Sequence, residues 1–165
     1  MKIPIVNEND EIVGEEERSL VHQKGILHRE IHVWFITPDN KIIFQKRGMN
    51  KETYPGLLDA TVGGHVDSAN HTYEETAERE SYEETGVDVR GKLIEIEKTQ
   101  SKSFDKVTNL VNNAFKTIYA YVFYGNISEL KIEDKNGLGF ESYSLEDIEN
   151  LNEEQKKNFI SSMVS

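Results

Sequence analysis

The sequence predicts an α+β domain in which a mixed β-sheet lies between helices. Three observations lead to this prediction. Residues 31–37 and 41–46 are rich in β-branched and aromatic side chains and flank a Pro-Asp-Asn turn, which is typical of paired strands. Residues 72–86 carry the start and stop signals of a helix. Further strand-like segments follow, and the C-terminal stretch has helical character.

The N-terminal part predicts a short β-hairpin followed by a linker. Residues 3–6 and 11–14 are mostly apolar and enclose a polar turn. Residues 15–24 are polar and favour a linker with one or two helical turns, which Gly25 ends. We therefore expect residues 1–28 to form a hairpin and linker that precede the main sheet.

The central part predicts one more strand and the principal helix. Residues 57–62 form a short apolar strand that runs into the glycine pair at 63–64. Thr72 and Glu75 fit a capping box, in which each side chain accepts a hydrogen bond from the other residue's backbone N–H. Gly86 provides the helix stop, because glycine tolerates a positive φ.

The last part predicts three strands and two helices. The strands are expected at residues 92–98, 117–124 and 140–143, and the helices at 145–150 and 153–163. Residues 101–113 are polar and show no firm periodicity. We therefore expect them to form a flexible loop over the functional site.

Composition narrows the class of protein. A chain of 165 residues predicts a single domain over 1–165 that can bury a proper core. The net charge of −11 argues against nucleic acid or an anionic membrane as a partner. Cysteine is absent, so disulfides and cysteine-based sites are excluded. Because the sequence shows neither a long apolar run nor a signal peptide, we expect a cytoplasmic protein.

An acidic cluster is the main chemical feature of the predicted helix. Glu80, Glu83 and Glu84 are spaced i, i+3 and i+4, which places the three carboxylates on one helix face. Like charges at this spacing repel by about a few tenths of a kcal/mol per pair. Hard divalent ions such as Mg²⁺ prefer oxygen ligands of this kind. The alternative is an acidic helix face that is simply solvated.

Residues 79–87 read Arg-Glu-Ser-Tyr-Glu-Glu-Thr-Gly-Val. This stretch resembles the second half of the Nudix box, G-x5-E-x7-R-E-U-x-E-E-x-G-U, where U is a bulky apolar residue. Ser81 occupies one of the U positions. The resemblance implies a Nudix fold in which residues 63–87 form a loop–helix–loop.

The first half of the box departs from the pattern. His71 and His65 stand where the box glutamate and glycine are expected. The glycine pair at 63–64 fits if the following loop carries one extra residue. Glu74 and Glu75 are then the candidates to replace the first glutamate.

The resemblance implies hydrolysis of a diphosphate by water, with magnesium on the box glutamates and manganese as an alternative ion. Glu80 and Glu84 are the leading metal ligands, Glu83 supports them, and the Gly63 carbonyl is a further candidate ligand. Arg79 is expected to orient the carboxylates through charge-assisted hydrogen bonds. Glu80 is a candidate general base, and the resemblance leaves open which glutamate takes the proton. The candidate catalytic residues are Arg79, Glu80 and Glu83.

Candidate substrate residues lie outside the helix. Lys46 and Arg47 end the second strand of the predicted pair, where they can meet a phosphate or be solvated. His65 is a third candidate for substrate contact. Tyr54 and Trp34 are candidates for lining a base-sized pocket, or for belonging to the core.

A more specific resemblance extends from about residue 6 to residue 123. The stretches 20–29, 45–47 and 53–59 resemble the isopentenyl-diphosphate isomerase branch of the Nudix superfamily. That isomerase uses a catalytic cysteine before Gly-His and a metal site of three histidines and two glutamates. The matching histidines in this chain are His22, His28 and His65, with His22 displaced by one residue.

The groups that perform the isomerase chemistry are missing here. Gly63 stands at the cysteine position, and Asn112 and Ala114 stand at the glutamate positions. Many Nudix hydrolases also carry an additional acid outside the box, for which Asp105 and Glu141 are candidates. The resemblance therefore implies an isomerase-like chain without isomerase activity.

Three functions remain as alternatives. The first is a magnesium-dependent hydrolase of a nucleoside diphosphate derivative or another small organic diphosphate. The second is a Nudix-fold binding module with weak or no turnover, which the altered first half of the box and Ala114 favour. The third is the isomerase itself. The expected partner is a small-molecule diphosphate, and homodimer formation is left open.

Overall fold

The fold is built on one mixed β-sheet with helical segments on both faces. The computed structural model describes residues 1–51, 54–132, 137–160 and 163. The strands are β1 (Lys2–Val6), β2 (Ile12–Glu17), β3 (His28–Ile36), β4 (Lys41–Lys46), β5 (Leu58–Ala60), β6 (Val62–His65), β7 (Ile94–Asp105), β8 (Leu110–Val122) and β9 (Phe140–Ser144). The helices are α1 (Arg18–Lys24), α2 (Tyr73–Thr85), α3 (Leu145–Glu149) and α4 (Glu153–Lys156), with a 3-10 turn at Ile127–Glu129.

Strand β3 is the centre of the sheet. It pairs antiparallel with β1, β4 and β6 and parallel with β8. The remaining pairs are β1–β2, β4–β5, β4–β9 and β7–β8, all antiparallel. The parallel pair needs a long crossover, and helix α2 lies within it. This topology brings residues of β3, β6 and β8 side by side although they are far apart in sequence.

Strand β3 packs against an apolar layer on each face. Ile31, Val33 and Phe35 face the larger core cluster, which also contains Ala77 of α2. Trp34 faces the opposite way and packs in a second cluster, which includes Ile148 of α3. Since successive strand residues alternate between faces, helices cover both sides, as the sequence predicted. No helix among the described residues is long and apolar enough to cross a membrane.

Helix α2 forms as predicted, but only half of its capping box does. The Thr72 hydroxyl oxygen accepts a hydrogen bond from Glu75 N at 3.0 Å. The Glu75 carboxylate accepts from the Thr72 hydroxyl at 3.2 Å instead of reaching the Thr72 N–H. Gly86 ends the helix with φ of 77°, which confirms the predicted stop.

The flexible loop predicted for residues 101–113 is wrong. These residues belong to the long hairpin β7–β8, whose turn includes Asn109 at φ of 60°. Among the described residues β7 pairs with β8 alone, so it is an edge strand and most of its side chains are exposed. Polar side chains suit such an edge. The apolar alternation that marks a half-buried strand is therefore missing from the sequence.

Three further boundaries differ from the sequence prediction. The strand expected at 57–62 is divided into β5 and β6 at Thr61, whose hydroxyl donates to Ile43 O and accepts from Phe35 N. The glycine pair at 63–64 therefore lies in strand β6 and not in a loop. At the N-terminal side, the one or two helical turns predicted before Gly25 are confirmed as α1, which Gly25 ends at φ of 67°, whereas residues 15–17 belong to β2 and not to a linker.

The closing helix expected at 153–163 is shorter than predicted. Helix α4 ends at Lys156, and the chain then pairs with β5. Leu58 N donates to Asn158 O at 2.8 Å, and Ile160 N donates to Leu58 O at 3.0 Å. Positions 161 and 162 lie outside the described residues. The C-terminal segment thus borders the cleft described next, because Ile160 and Met163 line it.

Candidate active site

A cleft of about 280 Å³ lies where α2 meets the sheet. It contains most of the residues that the sequence singled out. Its acidic wall consists of Asp67, Glu80, Glu83 and Glu84, and the glycine pair 63–64 lies beside it. Its imidazoles are His22, His32 and His65, and its basic side chains are Arg18, Arg47, Lys51 and Lys116. Acidic and basic groups thus share one cavity.

Three of the four acids in the acidic wall, Glu80, Glu83 and Glu84, come from one face of α2. The Glu80 side chain is 18 % exposed and Glu84 is buried, whereas Glu83 is half-exposed. Burial raises the pKa of Glu80, a hydrogen bond with Glu84 lowers it, and the charge of Glu83 raises it further. Carboxylates held this close without a cation repel each other, and a hard divalent ion fits such a donor set.

Gly64 allows the helix to approach the sheet. A Cβ atom at Gly64 would lie 2.8 Å from Cγ of Glu80, which is closer than real contacts allow. Glu80 therefore rests directly on strand β6. The sequence analysis named the Gly63 carbonyl as a further candidate metal ligand. The structure places Gly63 in the cleft opposite His32 but gives the close contact with Glu80 to Gly64.

Arg79 connects the acidic helix with the preceding loop. Its Nη1 and Nη2 atoms contact the two carboxylate oxygens of Asp67 at 3.3 and 3.2 Å. Nη2 also donates to Glu80 at 3.3 Å, and Nε lies 3.9 Å from Glu83. His71 Nδ1 is 3.3 Å from Nη1. Arg79 thus contacts Asp67, Glu80 and Glu83 at once.

Asp67, not Glu74 or Glu75, provides the acid that faces Arg79. Both glutamates are exposed near the start of α2, and Glu75 is engaged with Thr72. Sequence reasoning missed Asp67 because it counted positions in the box. The signal was present, since an acid directly follows the Gly-Gly-His-Val segment.

We expect Asp67→Asn to weaken Mg²⁺ binding by about tenfold, the lower end of the loss seen when a group that orients a metal ligand is removed. Without the second charged oxygen, Arg79 loses its bidentate partner and holds Glu80 less firmly. Isothermal titration calorimetry with Mg²⁺ measures the change. Asp88→Asn is the matched control, because it removes an aspartate–arginine pair that is exposed and outside the cleft. Equal Mg²⁺ affinity in the Asp67→Asn and wild-type proteins would contradict the expected role.

Three histidines meet beside the acidic wall. His22 of α1, His28 of β3 and His65 of β6 place one ring nitrogen each within 4.8 Å of the others. His22 Nε2 and His65 Nε2 are 3.1 Å apart. The Nδ1 atom of His28 donates to Ile26 O at 2.9 Å, which leaves Nε2 as the acceptor nitrogen. The gathering of histidines that the sequence suggested therefore occurs.

The three histidines bring their ring nitrogens close enough together to share one metal ion. Burial lowers the pKa of His65 well below its usual value, which favours its neutral form. His28 Nε2 is buried and has no hydrogen-bond partner among the described residues. The sequence offered His65 as a substrate contact, and the structure places it in this cluster.

Of the two basic residues that the sequence analysis selected, Lys46 and Arg47, one lines the cleft. Arg47 lines the cleft and forms an ion pair with Asp59 at 3.1 Å. Lys46 lines a shallow depression beside Gly139 and Phe140 and does not line the cleft. Arg47 follows the last residue of β4 and borders both cavities. Lys51 and Lys116 are cleft residues that the sequence analysis did not select.

The two aromatic candidates for substrate contact, Tyr54 and Trp34, lie in different parts of the structure. Tyr54 lines the cleft, and its backbone N–H donates to Asp105 at 2.7 Å. Trp34 packs edge-on against Phe44 with ring centroids 5.2 Å apart, so it belongs to the core. Of these two aromatic residues, Tyr54 alone lines the cleft and is placed to contact a substrate there.

Comparison with known proteins identifies the family. The model of the NUDIX domain matches residues 26–163, which is most of the chain. The chain belongs to the Nudix family. The match includes β3, the glycine pair, α2 and the β7–β8 hairpin, and so it covers most of the candidate active site.

The curated Nudix relatives are described as uncharacterized. An uncharacterized Nudix hydrolase of Clostridium acetobutylicum is 35% identical over 98 residues, which cover 57% of this chain and 47% of the relative. One from Streptomyces coelicolor is 36% identical over 84 residues, which cover 51% of this chain and 46% of the relative. The chain thus spans about half the length of the curated relatives it matches.

Solved structures, among them a NUDIX domain, share the fold. A crystal structure from Deinococcus radiodurans has a TM-score of 0.69 and 22% identity, and the match covers 90% of this chain and 86% of that one. The NUDIX domain of NrtR from Shewanella oneidensis, solved with ADP ribose, has a TM-score of 0.56 and 16% identity, covering 76% of this chain and 77% of that one. At these identities the likeness shows the Nudix fold alone.

The two candidates for an additional acid do not lie in the cleft of this Nudix chain. Asp105 accepts from Val107 N and from the Thr108 hydroxyl, and so it stabilises the β7–β8 turn. Glu141 accepts from the Tyr143 hydroxyl at 2.7 Å on β9. Neither residue lines the cleft.

Glu30 is a second cleft acid that sequence reasoning missed. It lines the cleft, is 6% exposed, and forms an ion pair with Lys116 at 3.2 Å. Asn112 Nδ2 donates to both Glu30 carboxylate oxygens, at 3.2 and 3.0 Å. Burial opposes its ionisation, but Lys116 and the nearby histidines lower the pKa of Glu30 to about 2. The sequence signal was an i, i+2, i+4 pattern of His28, Glu30 and His32 on one strand face.

Proposed function

We propose that this Nudix-family protein is a divalent-metal-dependent hydrolase that cleaves the phosphoanhydride bond of a small organic diphosphate. The observation that carries the proposal is the composition of the cleft. Three α2 carboxylates face one side, and Arg47, Lys51 and Lys116 line the same cavity. A diphosphate substrate needs both kinds of group. The basic side chains bind its negative charge, and the carboxylates hold a metal cation against its phosphates.

The acidic wall fits a metal ion, with Mg²⁺ as the proposed ion and Mn²⁺ as the alternative. Glu80, Glu83 and Glu84 would hold it, since they supply hard oxygen donors from one helix face. When bound, the ion supplies charge neutralisation at the phosphates and lowers the pKa of bound water. Arg79 and Asp67 keep Glu80 in place through their hydrogen bonds.

The proposed reaction adds water across the P–O–P bond. The water oxygen forms a new bond to one phosphorus, the bridging oxygen leaves with the other phosphate, and a carboxylate takes the released proton. Glu80 and Glu83 are the candidate bases, since both line the cleft beside the proposed metal ion. The basic side chains hold the phosphate oxygens during the displacement.

The histidine cluster supports placing this chain beside the isomerase branch. His22, His28 and His65 come together in space, as that resemblance implies. The acid–base groups of isomerisation are still missing, because strand β8 carries Asn112 and Ala114 at the positions concerned. We therefore propose an isomerase-like subgroup with hydrolase chemistry.

A substrate screen tests the proposed function. Nucleoside diphosphate derivatives and simple organic diphosphates, including isopentenyl diphosphate, are incubated with Mg²⁺ or Mn²⁺, and released phosphate products are measured. We expect hydrolysis of at least one of these compounds, and no dimethylallyl product from isopentenyl diphosphate. Tight binding of a diphosphate without any turnover would favour the binding-module alternative. Formation of the dimethylallyl product would overturn the proposal in favour of isomerisation.

A further inference from the structure

Asp105 is a buried acid that the proposed reaction does not use. It ends strand β7, is 3% exposed and does not line the cleft. We propose that Asp105 is a positioning residue, which holds Tyr54 in the cleft so that the Tyr54 ring contacts the organic group of the diphosphate substrate. The inference rests on the proposed function, because it assigns the substrate specificity of the same cleft.

The Asp105 carboxylate reaches Tyr54 through the Tyr54 backbone. Its Oδ2 atom accepts from Tyr54 N at 2.7 Å and from the Thr108 hydroxyl at 2.8 Å, and its Oδ1 atom accepts from Val107 N at 3.0 Å. The bonds to Val107 and Thr108 are local and belong to the β7–β8 turn. The bond to Tyr54 joins residues 51 positions apart in the chain, so the needs of the turn do not explain it. Hydrogen bonds to an ionised carboxylate are also stronger than those between neutral groups.

The backbone of Tyr54 has a conformation that needs external support. Its φ is 46°, which is uncommon and unfavourable for a residue with a bulky side chain. A tight turn follows, in which Gly56 has φ of 75° and Leu57 N donates to Tyr54 O at 3.3 Å. Strained residues of this kind persist where surrounding contacts hold them, and they are concentrated at binding sites. Asp105 provides such a contact for Tyr54.

The side chain of Tyr54 is held as well. Its hydroxyl is hydrogen-bonded to the side chain of Ser103 on β7, and both residues line the cleft. The hydroxyl is thereby engaged, which leaves the ring to pack against a ligand. Apart from the histidines, Tyr54 is the sole aromatic residue among the described residues that line the cleft. An aromatic ring that is already fixed binds planar and apolar groups at a low cost in conformational entropy.

Tyr54 and the acidic wall belong to different parts of the cleft. Tyr54 is attached to the β7–β8 hairpin, whereas Glu80 rests on β6 beside Gly64. A diphosphate bound at the α2 carboxylates is recognised by charge, which is the same for every substrate of this class. The Tyr54 ring carries no charge, so it distinguishes substrates by the group attached to the diphosphate.

Calorimetry with non-hydrolysable diphosphate analogues in Mg²⁺ tests the inference. Methylenediphosphonate represents the diphosphate core alone, and α,β-methylene-ADP and the methylene analogue of isopentenyl diphosphate add an organic group. We expect wild-type protein to bind at least one organic analogue about tenfold more tightly than the core. Tyr54→Ala should lose this tenfold preference, and Asp105→Asn should lose about fivefold of it. Both variants should bind the core with wild-type affinity.

Three further variants separate positioning from a purely structural role. Thr108→Ala removes another hydrogen bond to the same Asp105 oxygen and should leave the affinity for the organic analogue unchanged. The double variant Tyr54→Ala/Asp105→Asn should bind that analogue no more weakly than Tyr54→Ala, because Asp105 acts through the ring. Ser103→Ala frees the ring at its hydroxyl end and should also reduce the preference, which gives a second test if Asp105→Asn does not fold. Circular dichroism verifies the fold of each variant.

The outcomes distinguish this inference from the proposed function. An unchanged preference in Tyr54→Ala, an equal loss of core and organic analogue in Asp105→Asn, or a further loss in the double variant would overturn the inference. Wild-type protein that binds the core but prefers neither organic analogue would overturn it too, while the proposed function stands. Wild-type protein that does not bind the core in Mg²⁺ would contradict the proposed function, and this inference with it.

Discussion

Glu80→Gln or Glu84→Gln is expected to lower the kcat of metal-dependent hydrolysis by about 10³-fold, which corresponds to about 4 kcal/mol of transition-state stabilisation. Each substitution removes one charged ligand from the acidic wall while keeping the size of the side chain. Both side chains are largely buried in the cleft, so solvent screens their charge little. The measurement is kcat and KM on the substrate that the screen identifies.

The same variants should fold normally without metal. Removing one of three crowded carboxylates relieves repulsion of about a few tenths of a kcal/mol per pair, so the free energy of unfolding should stay equal or rise slightly. Glu74→Gln is the matched control, since it lies on α2 and is exposed outside the cleft. Wild-type turnover in both Glu80→Gln and Glu84→Gln would refute the assignment of the metal ligands.

Asp10→Ala is expected to lower the free energy of unfolding by about 3–5 kcal/mol, the usual cost of breaking a buried ion pair by removing one partner. Asp10 lies in the turn between β1 and β2, and its side chain is 9% exposed. It accepts from Arg29 Nε at 2.8 Å, from the Tyr73 hydroxyl at 2.9 Å and from Lys98. One carboxylate thus ties the N-terminal hairpin to β3, α2 and β7.

Chemical denaturation monitored by circular dichroism measures this loss. The control is Asp88→Ala, because Asp88 pairs with Arg90 at an exposed position and such pairs contribute about 0–1 kcal/mol. If the free energy of unfolding falls no more in Asp10→Ala than in Asp88→Ala, the contacts of Asp10 contribute little to stability.

The ionisation of Asp10 also gives a pH dependence. Burial alone would raise the pKa of Asp10, but hydrogen bonds from Lys98, Arg29 and Tyr73 lower it below its usual value. A lowered folded-state pKa gives stability that is present above the unfolded pKa of about 3.9 and is lost as the pH falls through the folded pKa. The stability difference between wild type and Asp10→Ala should therefore shrink below pH 4.

The sequence predicted those parts of the fold that depend on local patterns. The strand pair β3–β4, the helix from Thr72 to Gly86 and the late strand β9 were recognisable because their side chains alternate or repeat within a few residues. It predicted strands that overlap the start of β7 and the end of β8, but it missed that residues 101–113 extend them into one hairpin, because an exposed edge strand needs no apolar face. It also missed the division at Thr61, which depends on hydrogen bonds to β3 and β4.

In the candidate active site, too, local sequence patterns determine some features and tertiary contacts determine the others. Glu80, Glu83 and Glu84 share a face because helical spacing alone sets their direction, so the sequence by itself determined these three carboxylates of the acidic wall. The place of Asp67 against Arg79, the meeting of His22, His28 and His65, and the burial of Glu30 among them were decided only by the tertiary structure. These residues come from different strands, helices and loops. Their proximity depends on the register of β3 with β6 and β8, which no local pattern encodes.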